Sequence, residues 1–195
     1  MENISTFHAD QADKSWGDLY YHVISGIINE REYKRGAELG VAFGGHAEHI
    51  LKNTRLEKLY GVDLYKDYGG TTDAFFWDGV QYQQKNYDDL YEFTINRMSP
   101  FGERFSLIRK STTEASSDVK EELDFVFIDA LHTDEGVTAD LNHWFPKVRT
   151  GGMISGHDYN HSNFPGVSNA VNRFASSNNL KINEADGHVW WAIKE

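Results

Sequence analysis

Arg35-Gly36-Ala37-Glu38-Leu39-Gly40-Val41-Ala42-Phe43-Gly44-Gly45 is the stretch that decides the fold. A short apolar run stops on an acid, and glycines then turn the chain into a segment carrying Ala47, Ile50 and Leu51 at helical spacing. Two later runs also stop on acids, Leu59-Tyr60-Gly61-Val62-Asp63 and Leu123-Asp124-Phe125-Val126-Phe127-Ile128-Asp129. An open parallel sheet binds its ligands just beyond the carboxyl ends of its strands. Carboxylates at several such ends therefore converge on one crevice, the pattern of a nucleotide-type ligand site with chemistry beside it.

The flanking sequence supplies the rest of an alternating pattern. Upstream, Trp16, Leu19, Tyr20, Val23, Ile24, Ile27 and Ile28 form one apolar stripe of a helix expected to end near Gly36. A second strand is expected over about Lys58–Tyr65, a helix over Tyr87–Met98, a third strand over Phe105–Lys110 and a fourth over Leu123–Asp129. Val137, Leu141 and Trp144 mark a helix stopping at Pro146, and Gly151–Gly156 reads as a fifth strand entered through a glycine turn. Pro165 opens a further helix. Leu180–Asn183 and Val189–Ile193 read as a hairpin closed across Ala185-Asp186-Gly187. The expected fold class is α/β: a Rossmann-like, seven-stranded, mostly parallel sheet with an antiparallel terminal hairpin and helices on both faces. Residues 1–195 read as one domain with a lid-like insertion over about 65–103, whose stretch Lys66–Gln84 shows no clean period.

Composition narrows the function classes. The chain has 195 residues and a formal charge of -11, which argues against a nucleic-acid partner, since such binders concentrate positive charge. It contains no cysteine, which removes disulfides, thiolate metal sites and a cysteine nucleophile. No run is apolar enough to span a bilayer and Met1–Ser5 lacks a basic leader, so no membrane partner and a cytoplasmic location are expected. Self-association to a homo-oligomer stays open.

A dinucleotide enzyme would carry G-x-G-x-x-G after its first strand. Gly40-Val41-Ala42-Phe43-Gly44 lacks the middle glycine that admits a pyrophosphate, which disfavours a dehydrogenase. Glu38 suits an ammonium or sulfonium better than a diphosphate, and Asp63 follows at the distance of a ribose-binding acid. A ribose-bearing cofactor without phosphates is S-adenosylmethionine. These residues resemble the class I methyltransferases, whose motif is acid-x-Gly-x-x-x-Gly followed by a ribose-binding acid, and the resemblance runs over nearly the whole chain. Glu38-Leu39-Gly40 through Ala47 and Phe127-Ile128-Asp129 are most similar to the metal-dependent small-molecule O-methyltransferases of catechol, caffeoyl-coenzyme-A and antibiotic-sugar types. The resemblance implies that Glu38, Gly40 and Gly44 surround the methionine end, that Asp63 holds the ribose, that Ser111 and Thr112 border the adenine, and that Asp129 serves both cofactor and chemistry.

In those families the metal ligands are an acid after the fourth strand and an acid–amide pair after the fifth. Asp129 matches the first, while His157 and Asp158 fall on the pair, so the implied ligands are Asp129, His157 and Asp158 for magnesium or manganese. An imidazole ligand shifts preference toward manganese, iron or zinc. His132 stands where the resembling enzymes place a lysine base, and an imidazole is a competent general base for a hydroxyl. Two alternatives stay open: His132 as a cap of the helix starting near Asp134, and His157–Asp158 as a loop-stabilising pair. The aromatics Tyr65, Tyr68, Phe75, Phe76, Trp77 and Tyr82 either close over an acceptor or pack the loop and a subunit contact. The sequence thus leads to an S-adenosylmethionine-dependent O-methyltransferase acting on a small-molecule hydroxyl, a sugar or polyol before a catechol. The competing class is a non-catalytic protein that binds or senses the cofactor.

Overall fold

The computed structural model describes residues 4–66 and 83–195. Tyr68, Phe75, Phe76, Trp77 and Tyr82, with most of the expected loop, lie outside the described residues. The chain opens with α1 (Ile4–Trp16), a π-helical turn (Gly17–Tyr21) and α2 (His22–Glu30), continuing into β1 (Arg35–Leu39), α3 (Gly45–Asn53) and β2 (Lys58–Val62). After residue 83 come α4 (Gln84–Met98), β3 (Phe105–Ile108), α5 (Thr112–Ala115), β4 (Leu123–Ile128), α6 (Asp134–Trp144) and β5 (Val148–Gly156). The chain finishes with α7 (Pro165–Ser177), β6 (Asn183–Ala185) and β7 (Val189–Ile193).

Seven strands form one sheet in the order β3-β2-β1-β4-β5-β7-β6. The first five in that order pair in parallel, and β7 is antiparallel to both β5 and β6. β1 and β4 are neighbours with connections leaving in opposite directions, so the crevice beyond their carboxyl ends is the topological switch point. Strand periodicity divides the core between the faces. Phe125 and Phe127 pack with Ile24, Ile28 and Ile50 on one side, and Val126 and Ile128 pack with Leu141, Trp144 and Val171 on the other. Buried on both faces, β4 is apolar at successive positions, as a central parallel strand must be.

β2 ends at Val62 and α4 starts at Gln84, each three residues from the sequence reading, and further boundaries depart from it as follows. The N-terminal helix begins twelve residues before Trp16 and ends at Glu30, because Ala9 and Ala12 are buried and extend the packed face. Its π-helical turn shifts the phase of the stripe, leaving Leu19 57% exposed while Tyr20 and Tyr21 are both buried. The fifth strand starts at Val148, with Gly151 inside an irregularity of the β4–β5 register. The hairpin is displaced: Leu180 and Ile182 pack against the core without strand pairing, and Ala185 pairs with Val189. A three-residue connection then runs through Gly187 and His188, both at positive φ.

Candidate active site

The described residues enclose a cavity of about 560 Å³ at the switch point, within the range of small-molecule sites. Glu38, Gly40, Asp63, Ser111, Thr112, Asp129, His132, His157 and Asp158 all line it. Gly44 is absent from the lining among the described residues. It stands in the left-handed region at the start of α3, donates to Val41 O at 2.8 Å and backs onto Thr94 and Met98. Ser111 caps α5 by accepting from Glu114 N, and Thr112 is held from behind by the buried Trp144, whose Nε1 donates to its carbonyl at 2.9 Å.

Asp63 shapes the β1–α3 turn from the end of β2. Its Oδ2 accepts from the backbone N–H groups of Val41 (3.0 Å) and Ala42 (2.9 Å), and its Oδ1 accepts from Tyr65 N at 2.9 Å. Burial raises its pKa while these three donors pull it down. Ala42 sits at φ +48, a strained position that these bonds and Tyr65, whose hydroxyl donates to Ala42 O at 2.9 Å, hold in place. Gly40 answers a different demand. A Cβ there would lie 1.8 Å from the carbonyl oxygen of Asp129, so the glycine lets β1 and β4 close on each other as they leave the sheet. A side chain at Gly40 would thus meet backbone before it met any cofactor.

Beside this turn lies a buried polar group that sequence reasoning missed apart from Glu38. Glu38 is 2% exposed and His46, in the first turn of α3, is 5% exposed. His46 Nδ1 is 3.3 Å from Glu38 Oε1 without the alignment of a hydrogen bond. Burial raises the Glu38 pKa, with His46 opposing it. From α1, Asp13 Oδ2 accepts from Arg97 Nη2 at 2.6 Å and its Oδ1 faces Gly45. Glu38 Oε2, Asp13 Oδ1 and both His46 nitrogens have no hydrogen-bond partner among the described residues. Buried polar groups are normally paired, so four orphaned atoms at one end of a cavity mark where a polar ligand belongs. Neither Asp13 nor His46 carries a local mark in the sequence, since α1 and α3 bring them to this corner.

In the same cavity, Asp129 leaves β4, His132 follows in the next turn, and His157 and Asp158 leave β5. His132 Nε2 lies 2.9 Å from Asp158 Oδ2 and 3.7 Å from Asp129 Oδ1. His157 Nδ1 lies 3.2 Å from Asp158 Oδ2 and 3.9 Å from Asp129 Oδ1. Asp158 adopts φ +59, an uncommon conformation for a non-glycine residue of the kind concentrated at functional sites. Thr133 caps α6, its Oγ1 accepting from Gly136 N at 3.1 Å, so the helix start does not need His132. Burial lowers the His132 pKa, but its bonds to Asp129 and Asp158 outweigh this and push it up to about 10. Burial likewise raises Asp158, yet the two imidazoles carry it well below the usual carboxylate range.

The donor set bears on the implied metal. Asp129, His132 and Asp158 each offer a ligand atom, and these atoms lie within 4.8 Å of one another. Two carboxylates and an imidazole at that spacing fit one divalent ion, more naturally manganese, iron or zinc than magnesium. His132 supplies the imidazole of this group, and His157, the imidazole expected from sequence, also faces both carboxylates through Nδ1 at 3.2 and 3.9 Å.

Residues 37–159 match the model of a family described as a methyltransferase domain. No curated protein matches the sequence. Among solved structures, a Staphylococcus aureus protein assigned as a caffeoyl-CoA O-methyltransferase superposes with a TM-score of 0.69 at 11% identity, covering 98% of this chain and 92% of that one. A Podospora anserina methyltransferase solved with S-adenosylhomocysteine gives 0.65 at 14% identity, covering 100% and 89%. An O-methyltransferase of Streptomyces achromogenes involved in tomaymycin synthesis gives 0.63 at 12% identity, covering 100% and 92%. At such identities these structures speak to the fold. The family match spans well over half of the chain and includes both strand-end motifs, and with it the chain belongs to the methyltransferase-domain family, as an S-adenosylmethionine-dependent enzyme of class I.

Proposed function

We propose that this enzyme methylates a hydroxyl of a small molecule, with the cofactor's amino-acid end in the Glu38–His46 corner and a divalent ion at Asp129 and Asp158. The observation carrying this reading is the set of orphaned buried atoms beside the β1–α3 turn. Glu38 Oε2 and Asp13 Oδ1 are acceptors suited to an ammonium. The His46 imidazole and the first backbone N–H groups of α3 are suited to a carboxylate. A zwitterionic amino-acid group satisfies both. Asp63 keeps acceptor capacity on Oδ1 for a ribose hydroxyl, and Ser111 and Thr112 border the base.

Bound there, the cofactor supplies a sulfonium methyl group for in-line transfer. A divalent ion would supply positive charge that lowers the pKa of an acceptor hydroxyl. Asp129 and Asp158 would hold it, with His132 the nearest further donor. Without an ion, the two carboxylates push the His132 pKa up to about 10, which makes it a poor base near neutral pH. An ion held by the two carboxylates alone would neutralise their charge and free the His132 proton, and an imidazole left outside the coordination sphere would then serve as the general base predicted from sequence. The wall of Trp16 and Tyr20 would limit water at the reacting atoms. Sugars, polyols and catechols all present the vicinal hydroxyls that an ion-centred site would engage. The S. aureus and S. achromogenes neighbours support oxygen as the methylated atom.

Calorimetry with S-adenosylhomocysteine tests the cofactor corner: His46→Ala and Glu38→Gln should each weaken binding by about 1.5–3 kcal/mol, the cost of losing a bond to a charged group. Unchanged affinity in both, or stabilisation by NAD in place of S-adenosylhomocysteine, would sink the assignment. Methyl transfer to a panel of polyols and catechols should vanish in EDTA and return with manganese. Tight cofactor binding with no transfer to any of them would favour a sensing protein.

A further inference from the structure

The π-helical turn at Gly17–Tyr21 has a consequence at the reaction centre. Such turns insert a residue into an α-helix and are frequent at functional sites. Neighbouring side chains on a regular helix diverge by about 100°, yet Tyr20 and Tyr21 are 4% and 6% exposed and both line the cavity. Tyr21 packs toward Gly45 and His46. The Tyr20 ring lies nearly parallel to His157, with centroids 4.1 Å apart and 27° between planes, and its hydroxyl donates to Asp129 Oδ2 at 3.4 Å. The other oxygen of Asp129 is the one that faces His132 and His157. The helix is seated against the hairpin connection, where a Cβ on Gly187 would come within 3.0 Å of Tyr20 Cβ and 3.1 Å of Leu19 O.

We propose that Tyr20 is a positioning residue of the reaction centre: its hydroxyl takes Asp129 Oδ2 and its ring backs His157, so that Asp129 Oδ1 is presented to a divalent ion. The proposal rests on the reading of Asp129 as an ion ligand. A carboxylate is free to rotate about its terminal torsion, and a hydrogen bond to one oxygen removes that freedom before the ion arrives. Partners of this outer kind are worth about 10–100-fold in metal affinity, and the length of this bond points to the lower end. Packing alone would be served equally well by phenylalanine, so the hydroxyl separates a positioning role from a space-filling one.

The test uses the full chain saturated with S-adenosylhomocysteine and titrated with manganese alone, free ion being read by electron paramagnetic resonance. Tyr20→Phe should weaken manganese about tenfold, with S-adenosylhomocysteine affinity within about twofold of the wild type and the melting temperature retained. Tyr20→Leu, which also loses the ring, should weaken it further, and Asp129→Asn should abolish uptake. Wild-type uptake with Tyr20→Phe inside twofold would overturn the role of Tyr20 and leave the ion reading standing. Equal losses of manganese and S-adenosylhomocysteine affinity in Tyr20→Phe would overturn it in favour of packing. Absence of manganese uptake by the wild type would overturn the ion reading and this proposal together.

Discussion

Asp63→Ala should damage the fold and the cofactor site together. As a ribose ligand alone, the residue would cost only affinity when lost. In the structure its carboxylate also accepts from the N–H groups of Val41, Ala42 and Tyr65. Each bond to a charged group is worth about 1.5–3 kcal/mol. Some of the freed N–H groups can turn to water in the cavity, so the loss is below the sum, about 3–5 kcal/mol. Ala42, held at φ +48, would relax and carry the Gly40–Gly44 turn with it. For a chain of this length each kcal/mol shifts the melting temperature by about 2–4 °C, so the variant should melt about 6–20 °C lower. Binding of S-adenosylhomocysteine should weaken at least about tenfold, from the lost ribose bond alone. Asp63→Asn keeps an oxygen for Val41 and Ala42 but sets an amide donor against Tyr65 N–H, so it should fall between. Scanning calorimetry without ligand, with titration calorimetry well below the melt, measures both effects. A melting temperature within about 2 °C of wild type beside a large affinity loss would refute the scaffolding role.

The two turn glycines should separate sharply. Gly40→Ala forces a Cβ into the Asp129 carbonyl, while Gly44→Ala meets only Met98 Sδ and Thr94 Cγ2 at 3.3 Å. The first should prevent soluble expression and the second should cost about 1–2 kcal/mol, mostly from its positive φ; equal solubility and melting curves would contradict this. Asp140, 2% exposed on α6, has its pKa raised by burial to about 6. The native state therefore binds its proton more tightly than the unfolded chain, and stability present at low pH is lost as pH rises through about 6. Asp140→Asn should accordingly stabilise the protein by up to about 3 kcal/mol at pH 8 and by little near pH 4. Urea denaturation at both values checks this, and a gain independent of pH would count against it.

By itself the sequence determined the α/β class, the parallel centre and the antiparallel end, because burial on both faces makes β4 continuously apolar and strand ends in such a sheet carry the ligand groups. It also singled out Glu38, Asp63, Asp129, His132, His157 and Asp158, since strand-end acids and the histidines beside them are local features of the chain. Tertiary structure decided what those groups do to one another. That Asp63 braces a turn, that His132 reaches Asp158 as well as nearby Asp129, and that Gly40 is required by Asp129 depend on partners 20 to 90 residues apart in sequence. The same holds for Asp13, Tyr20 and His46, which carry no mark in sequence. Tyr20 and Tyr21 read as members or neighbours of an apolar stripe because periodicity assumes 3.6 residues per turn. A single π turn breaks that assumption, and the cavity wall depends on the break.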